Sequence, residues 1–241
     1  MTQGALRIPV REALHFLGWR GAPVEPELED RLRALCGEAE RMLEPRAVMR
    51  TFDIGEGGVF SGTRFCPEGG DVRAMLAPCF QGVLLAATLG AQSERMLLRA
   101  QARDAADALL LDAVLSAAIE AVCDAQEAAL RRSLHAQGLY LTDRFSPGYG
   151  DMPLAQSTQI LAVLDAPRRI GLTLTSSGLM LPRKSVTAVM GVSREPVARR
   201  PSGCEACSVR QTCALRRGRV TLHDGKEAGK SGGMESGLEK G

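Results

Sequence analysis

Two short stretches of the sequence carry residue types that bind ligands. Residues 144–151 read RFSPGYGD, in which an arginine and a tyrosine flank a Pro-Gly pair. Pro147 fixes its own φ and Gly148 permits left-handed backbone, so this stretch predicts an exposed loop. The loop presents a guanidinium, a phenol and backbone groups, which suits a small polar ligand with a carboxylate. The same composition also suits an ordinary surface turn.

The second stretch, CEACSVRQTC, places Cys204, Cys207 and Cys213 in a C-x2-C-x5-C pattern. Clustered thiols in a chain that shows no secretion signal favour metal or redox chemistry over a disulfide framework. Three thiolates are one short of a closed zinc or iron–sulfur site. A fourth ligand would come from Cys66, Cys79, His223 or a second chain. The alternatives are an iron–sulfur cluster, a zinc site, and free thiols on a flexible segment.

Composition excludes several classes of protein. The 241 residues carry a formal charge of +2 and only 4% aromatic side chains, so nothing favours nucleic-acid binding. The longest uncharged stretch, 74–93, contains proline, glycine and glutamine and does not resemble a membrane span. The N-terminal residues lack the layout of a signal peptide, which predicts a soluble, cytoplasmic protein.

Familiar catalytic motifs are missing from the sequence. It contains no dinucleotide-binding glycine motif, no P-loop, no H-E-x-x-H and no G-x-S-x-G. The three histidines do not assemble into an acid–base or nucleophilic triad. Any chemistry must therefore reside in the ligands that the protein holds.

The elements that must position these residues follow from hydrophobic periodicity. Helices are predicted over 26–44, 71–78, 92–136 with a break near Asp104, and 153–165. Strands are predicted over 46–54, 57–65, 81–90, 169–175 and 185–193. This order predicts an α+β fold with a mostly antiparallel or mixed sheet and long packing helices. We expect this domain to span 1–194, followed by a basic Cys-rich segment, 195–217, and a disordered tail, 218–241.

Three sequence blocks together resemble the activation domain of cobalamin-dependent methionine synthase. Residues 144–149 fit the family's S-adenosylmethionine-binding signature R-x-x-x-G-Y. The segment LTSSGLMLPRKSV, 174–186, fits the family's L-T-x-S-x-x-M-x-P-x-x-S-V. The segment AIEAVCDAQEAALRR, 118–132, resembles the helix that carries an acidic ligand contact and ends in two arginines. The similarity covers about residues 105–192.

The resemblance implies a function as an accessory subunit. The chain lacks the homocysteine, folate and cobalamin modules of the fused enzymes, so it resembles a free-standing activation protein that acts on a separate cobalamin-binding methionine synthase subunit. In the family, cob(II)alamin regains its methyl group by accepting one electron and the methyl of S-adenosylmethionine. The electron would come from a reductant such as flavodoxin or ferredoxin. The alternative is an iron–sulfur or zinc-carrying electron-transfer protein that serves corrinoid proteins.

The resemblance also implies roles for individual residues. Arg144 would clamp the methionine carboxylate with its planar fork, and Pro147 and Gly148 would shape the turn around the ligand. Tyr149 would stack on or hydrogen-bond the ligand, or reach the corrin. Glu120 would accept from the α-amino group or the ribose, against the alternative of a solvated helix carboxylate. Two further residues would line the cobalamin-facing surface or serve as turn residues: Thr175 and Ser177.

The cysteine spacing argues against one rival family. Radical S-adenosylmethionine enzymes hold their cluster with C-x3-C-x2-C near the start of a barrel. Here the spacing is C-x2-C-x5-C, the cysteines lie near the C-terminal end of the sequence, and no βα repeat is visible. We therefore reject that reading.

Overall fold

A four-stranded antiparallel sheet lies at the centre of the molecule. The computed structural model describes residues 6–19 and 23–197. The strands lie in the order β1-β2-β6-β3, so β6 separates β2 from β3. Their bounds are β1 Arg46–Asp53, β2 Gln81–Thr88, β3 Tyr140–Leu141 and β6 Ser185–Ser193. A two-stranded hairpin lies apart from this sheet and consists of β4 Thr173–Leu174 and β5 Met180–Leu181.

Helices cover both faces of the sheet. The helices are α1 Val10–Phe16, α2 Pro26–Met42, α3 Gly70–Leu76, α4 Ala91–Arg103, α5 Ala105–His135, α6 Gln156–Leu164 and α7 Ala166–Ile170. Alternate residues of β2 point to opposite faces, as the period of a strand requires. Val83 and Leu85 belong to the core that contains α5, whereas Leu84 and Ala86 belong to the core that contains α6. Burial on both faces explains why β2 is a continuous apolar run.

The longest helix is the element that positions the candidate site. α5 has 31 residues, so its length is about 47 Å. Asp104 separates it from α4 and caps it, because its carboxylate accepts from the backbone N–H of Ala106 at 2.9 Å. The break expected near Asp104 is therefore confirmed. One face of α5 packs on the sheet and on α1, α2 and α4.

The predicted α+β class with an antiparallel sheet is confirmed, but two of the predicted strands are wrong. The stretch 57–65 forms a short 3-10 turn and a tight loop, because Gly57, Gly58 and Gly62 all have positive φ. The stretch 169–175 begins in α7, which Gly171 ends at φ 70°, so only β4 remains extended. Predicted features beyond residue 197 lie outside the described residues.

Candidate functional site

A polar stripe runs along α5 on the side that does not enter the core. Its members recur every three or four residues, which places them on one face of the helix. The stripe consists of Asp112, Ser116, Glu120, Asp124 and Glu127. It gives this face of α5 a strong excess of carboxylate groups.

Arg144 lies across the middle of this stripe. Its Nη2 donates to the Glu120 carboxylate at 3.1 Å and to the Asp124 carboxylate at 2.7 Å. Its Nη1 lies 3.5 Å from Oε2 of Glu127. The side chain is only 17% exposed, so the expectation that the arginine sits on an exposed loop is wrong. Phe145, the next residue, pairs with Val189 of β6, and this pairing holds the start of the loop against the sheet.

The electrostatics of the stripe follow from this crowding. Burial raises the pKa of Glu120 above its ordinary value; the Arg144 guanidinium opposes the rise and the Asp124 carboxylate adds to it. A second arginine, Arg131, lies 2.7 Å from Glu127 and 3.7 Å from Asp143. The described contacts thus join four carboxylates to two guanidinium groups.

The rest of the R-x-x-x-G-Y stretch is a tight turn, as the sequence predicts. Pro147 is buried, and Gly148 has φ 92° and donates its N–H to the Met152 carbonyl at 2.9 Å. The Tyr149 side chain is 71% exposed and is available to a ligand or a partner. Asp151 secures the far end of the turn, because its carboxylate accepts from the N–H groups of Gly70 and Asp71 at the start of α3.

The second sequence block forms the β4–β5 hairpin and the start of β6. The hydroxyls of Thr175 and Ser177 lie 2.8 Å apart within the hairpin turn, and Thr175 Oγ1 also accepts from the N–H of Leu179. These contacts agree with turn roles for both residues. Lys184, three residues after β5, reaches the stripe: its Nζ lies 2.8 Å from the Ser116 hydroxyl and 2.8 Å from the Asp112 carboxylate.

Sequence reasoning missed several residues of this site. Three residues contact the stripe or belong to it: Asp124, Glu127 and Lys184. None of them occupies a position that the family motifs specify. The four-residue spacing of Asp112, Ser116, Glu120 and Asp124 was the signal that marks a shared face. The partners of that face come from positions distant in sequence, which a helical pattern does not reveal.

The C-x2-C-x5-C segment lies outside the described residues, so Cys204, Cys207 and Cys213 have no described geometry. Within residues 6–19 and 23–197, no three metal-ligating side chains gather into a cluster. Two candidates for the fourth ligand, Cys66 and Cys79, line one cavity of about 280 Å³ beside α3. In the same part of the chain, no helix has the length and apolarity that a bilayer span requires.

Comparison with known proteins finds a solved structure with a similar fold and a matching family model. The crystal structure of the MetH reactivation domain bound to AdoHcy has the same fold, with a TM-score of 0.56 over 78% of this chain and 77% of that chain. The two chains are 17% identical. No curated protein sequence matches this chain. This chain and the MetH reactivation domain thus share an α+β fold.

Part of the chain also matches the sequence model of a known family. Residues 83–197 match the model of the activation domain of vitamin B12 dependent methionine synthase. These residues run from β2 through the α5 stripe, the Arg144 loop and β6. The match covers 115 of the 241 residues, and together with the shared fold it supports the resemblance drawn from the sequence.

Proposed function

We propose that the chain binds S-adenosylmethionine and supports the reductive methylation of cob(II)alamin on a separate cobalamin-binding methionine synthase subunit. The observation that carries this proposal is the position of Arg144, whose guanidinium is buried against Glu120 and Asp124 at the start of the R-x-x-x-G-Y turn. The match of residues 83–197 to the activation-domain model supports the proposal. A cytoplasmic location and a flavodoxin- or ferredoxin-type reductant belong to the same proposal.

Charge complementarity supports this ligand. The four carboxylates Glu120, Asp124, Glu127 and Asp143 outnumber the two guanidinium groups of Arg131 and Arg144. S-adenosylmethionine carries a sulfonium, an ammonium and one carboxylate, so its net charge is positive. Its carboxylate suits an arginine, and its two cationic groups suit the surplus carboxylates. The demethylated product lacks the sulfonium charge, and we expect it to bind more weakly.

The reaction requires positioning and no protein base. The substrate of this reaction is cob(II)alamin carried by the partner subunit, and one electron from the reductant converts it to cob(I)alamin. The cobalt electron pair then forms a bond to the methyl carbon while the carbon–sulfur bond breaks, and S-adenosylhomocysteine leaves. The chain's own residues bind and orient the sulfonium ligand, with Arg144 on the carboxylate, Glu120 on the ammonium or ribose, and Tyr149 at the exposed side.

Two measurements test this function. Calorimetry with the purified chain should detect S-adenosylmethionine, with weaker binding of S-adenosylhomocysteine. Mixing the chain with a cob(II)alamin-loaded synthase subunit, a reductant and S-adenosylmethionine should produce methylcobalamin. A chain that binds neither ligand would overturn the proposal, whereas ligand binding without methylcobalamin formation would restrict it to a binding role.

A second candidate function is an iron–sulfur or zinc-carrying accessory protein for corrinoid proteins. Cys204, Cys207 and Cys213 would hold the metal with a fourth ligand from elsewhere. One observation favours this function: Cys66 and Cys79 share a cavity beside α3, and α3 also borders the cavity that Val197, the last described residue, lines. Metal analysis of anaerobically purified protein together with S-adenosylmethionine calorimetry separates the two candidates: a metal-bearing chain that binds no S-adenosylmethionine supports the second, and a chain that binds the ligand without metal supports the first.

A further inference from the structure

One nitrogen of the Arg144 guanidinium is left without a hydrogen bond. Nη1 is buried, and among the described residues no acceptor meets hydrogen-bond geometry with it. The nearest carboxylate oxygen is Oε2 of Glu127 at 3.5 Å, which is close enough for charge attraction but too far for a good hydrogen bond. Buried donors nearly always have a partner, so this nitrogen requires an explanation.

The explanation lies in the second arginine. Oε1 of Glu127 accepts from Nη2 of Arg131 at 2.7 Å, one helical turn further along α5. Arg131 is itself held in place, because it donates to the backbone carbonyls of Leu141 and Thr142. The Glu127 side chain is only 18% exposed and has little room to move. Arg131 therefore holds the carboxylate that would otherwise close onto Nη1 of Arg144.

We propose that Arg131 is a positioning residue which, by holding Glu127, leaves Nη1 of Arg144 without a carboxylate partner, so that this donor can bind the carboxylate of an amino-acid ligand. This inference rests on the proposed binding of S-adenosylmethionine. A ligand carboxylate at Nη1 gives the buried donor its missing acceptor, and the charge-assisted bond is stronger than a neutral one. Without Arg131, a small shift of Glu127 Oε2 from its present 3.5 Å would form a hydrogen bond to Nη1, and the glutamate would compete with the ligand for the same donor.

A simpler role for Arg131 makes a different prediction. If the arginine only anchors the backbone at Leu141 and Thr142, its loss weakens every ligand of the site, and Glu127 has no part in the effect. If Arg131 holds Glu127, its loss weakens only ligands that carry a carboxylate, and removal of Glu127 restores binding. The two roles therefore differ in which ligands lose affinity when Arg131 is replaced, and in whether removal of Glu127 restores that affinity.

The test is a double-mutant cycle measured with two ligands in the full chain. The variants are Arg131→Met, Glu127→Ala and their combination, with Arg132→Met as the control at a neighbouring exposed position of α5. The ligands are S-adenosylmethionine and 5′-methylthioadenosine, which keeps the nucleoside but has no carboxylate. Thermal melts of every variant show how much of each change comes from folding. If Arg131→Met does not fold, Arg131→Lys, which offers one donor group in place of a fork, replaces it.

The expected result is selective loss and rescue. Arg131→Met should weaken S-adenosylmethionine binding roughly tenfold, the size of one charge-assisted bond, and leave 5′-methylthioadenosine within about twofold. The combination should bind S-adenosylmethionine as Glu127→Ala does. Equal loss of both ligands, or a combination as weak as Arg131→Met, overturns the inference and leaves the proposed function standing. An unmodified chain that binds no S-adenosylmethionine overturns both.

Discussion

The Arg144 guanidinium donates to the Asp124 carboxylate at 2.7 Å and so ties the start of a loop to a helix residue twenty positions earlier. Asp124 is 68% exposed, whereas Arg144 is 17% exposed, so the pair spans the boundary between solvent and core. The guanidinium therefore serves the fold as well as a ligand. A change at Arg144 should alter both binding and stability.

Replacing Arg144 by alanine should weaken S-adenosylmethionine binding by roughly 1.5–3 kcal/mol, since a charge-assisted contact is lost. It should also lower the free energy of unfolding by about 1–3 kcal/mol, because Glu120, Asp124 and Glu127 lose their shared counter-ion. Calorimetry and urea unfolding measure the two effects. Arg168→Ala is the control, because that side chain is 86% exposed. Unchanged ligand affinity in Arg144→Ala would remove Arg144 from the binding site.

Acid should weaken ligand binding through Glu120. Because burial raises the pKa of Glu120, its carboxylate protonates at a higher pH than an exposed glutamate, whose pKa is about 4.3. Protonation removes the negative charge that would attract the ligand ammonium. As the pH is lowered, affinity should therefore begin to fall while the pH is still above about 4.3. The effect of Glu120 on the free energy of unfolding has the opposite pH dependence. Its stabilising contribution is present below the pKa of Glu120 in the unfolded chain and is lost as the pH rises through its pKa in the folded chain.

A pH series of calorimetric titrations on the unmodified chain and on Glu120→Gln checks this prediction. The glutamine variant should bind more weakly at pH 7 and should lose the part of the pH dependence that Glu120 causes. Identical pH profiles for the two proteins would show that another group is responsible. Circular dichroism at each pH confirms that the chain remains folded.

Residues that decide their own local structure were predictable from the sequence. Asp104 is an N-cap by chemistry, so the break in the 92–136 pattern predicted the boundary between α4 and α5. The apolar run of 81–90 predicted a strand, and the structure shows that β2 is buried on both faces. The turn at Pro147 and Gly148 followed from the allowed backbone angles of those two residues.

Features that depend on distant partners were not predictable. The 57–65 stretch contains strand-forming residues, but its glycines adopt positive φ and its phenylalanines, Phe60 and Phe65, are buried in the core. The residues around Arg144 are those of an exposed loop. The pairing of Phe145 with Val189 nevertheless places the Arg144 side chain against the carboxylates of α5. Nothing local to RFSPGYGD encodes that helix face. The set of residues that contact Arg144 is therefore determined by the tertiary fold.

The close approach of Phe60 to β2 gives a prediction about Gly82. A Cβ added at Gly82 would lie 2.0 Å from Cζ of Phe60, whose ring is fully buried. Gly82→Ala should lower the free energy of unfolding by about 1–3 kcal/mol, the usual effect of overpacking. Gly37→Ala in the interior of α2 is the matched control and should instead raise it by about 0.5–1 kcal/mol. Urea unfolding that shows the same sign for both variants would contradict the close packing of Phe60 on β2.

Alkali should destabilise the chain through a buried thiol. Burial raises the pKa of Cys123, which lies in α5 beneath Arg144, to about 12. Because the pKa of Cys123 is higher in the folded chain than in the unfolded chain, the protonated thiol stabilises the fold below the unfolded-state pKa of about 8.5. That contribution is lost as the pH rises toward 12. The free energy of unfolding should therefore fall above about pH 8.5, and Cys123→Ala should fall less steeply. Equal slopes between about pH 9 and pH 11 would assign the alkaline loss to Cys36, Cys79 or other groups.

Removing the residues after Val197 tests the domain boundary and the cysteine segment together. Both sheet neighbours of β6 are in place by Ser193, so residues 1–197 should fold cooperatively and bind S-adenosylmethionine as the full chain does. If Cys204, Cys207 and Cys213 hold an iron–sulfur cluster, anaerobic full-length protein should be brown and bleach on reduction, and the truncated chain should be colourless. Zinc would give colourless protein with stoichiometric metal and no redox response.

Single Cys→Ser variants of the full chain complete this test. Loss of metal in each of the three, with unchanged S-adenosylmethionine affinity, separates a metal-holding segment from the ligand site, because Arg144 and the α5 stripe lie in other parts of the chain. Cys36→Ser is the control, since that thiol is buried in α2 within the core that contains α5 and does not line the cavity of Cys66 and Cys79. Full methylation activity in metal-free protein purified without oxygen would eliminate both the cluster and the zinc site. A truncated chain that aggregates or loses its cooperative melt would instead show that the segment belongs to the fold.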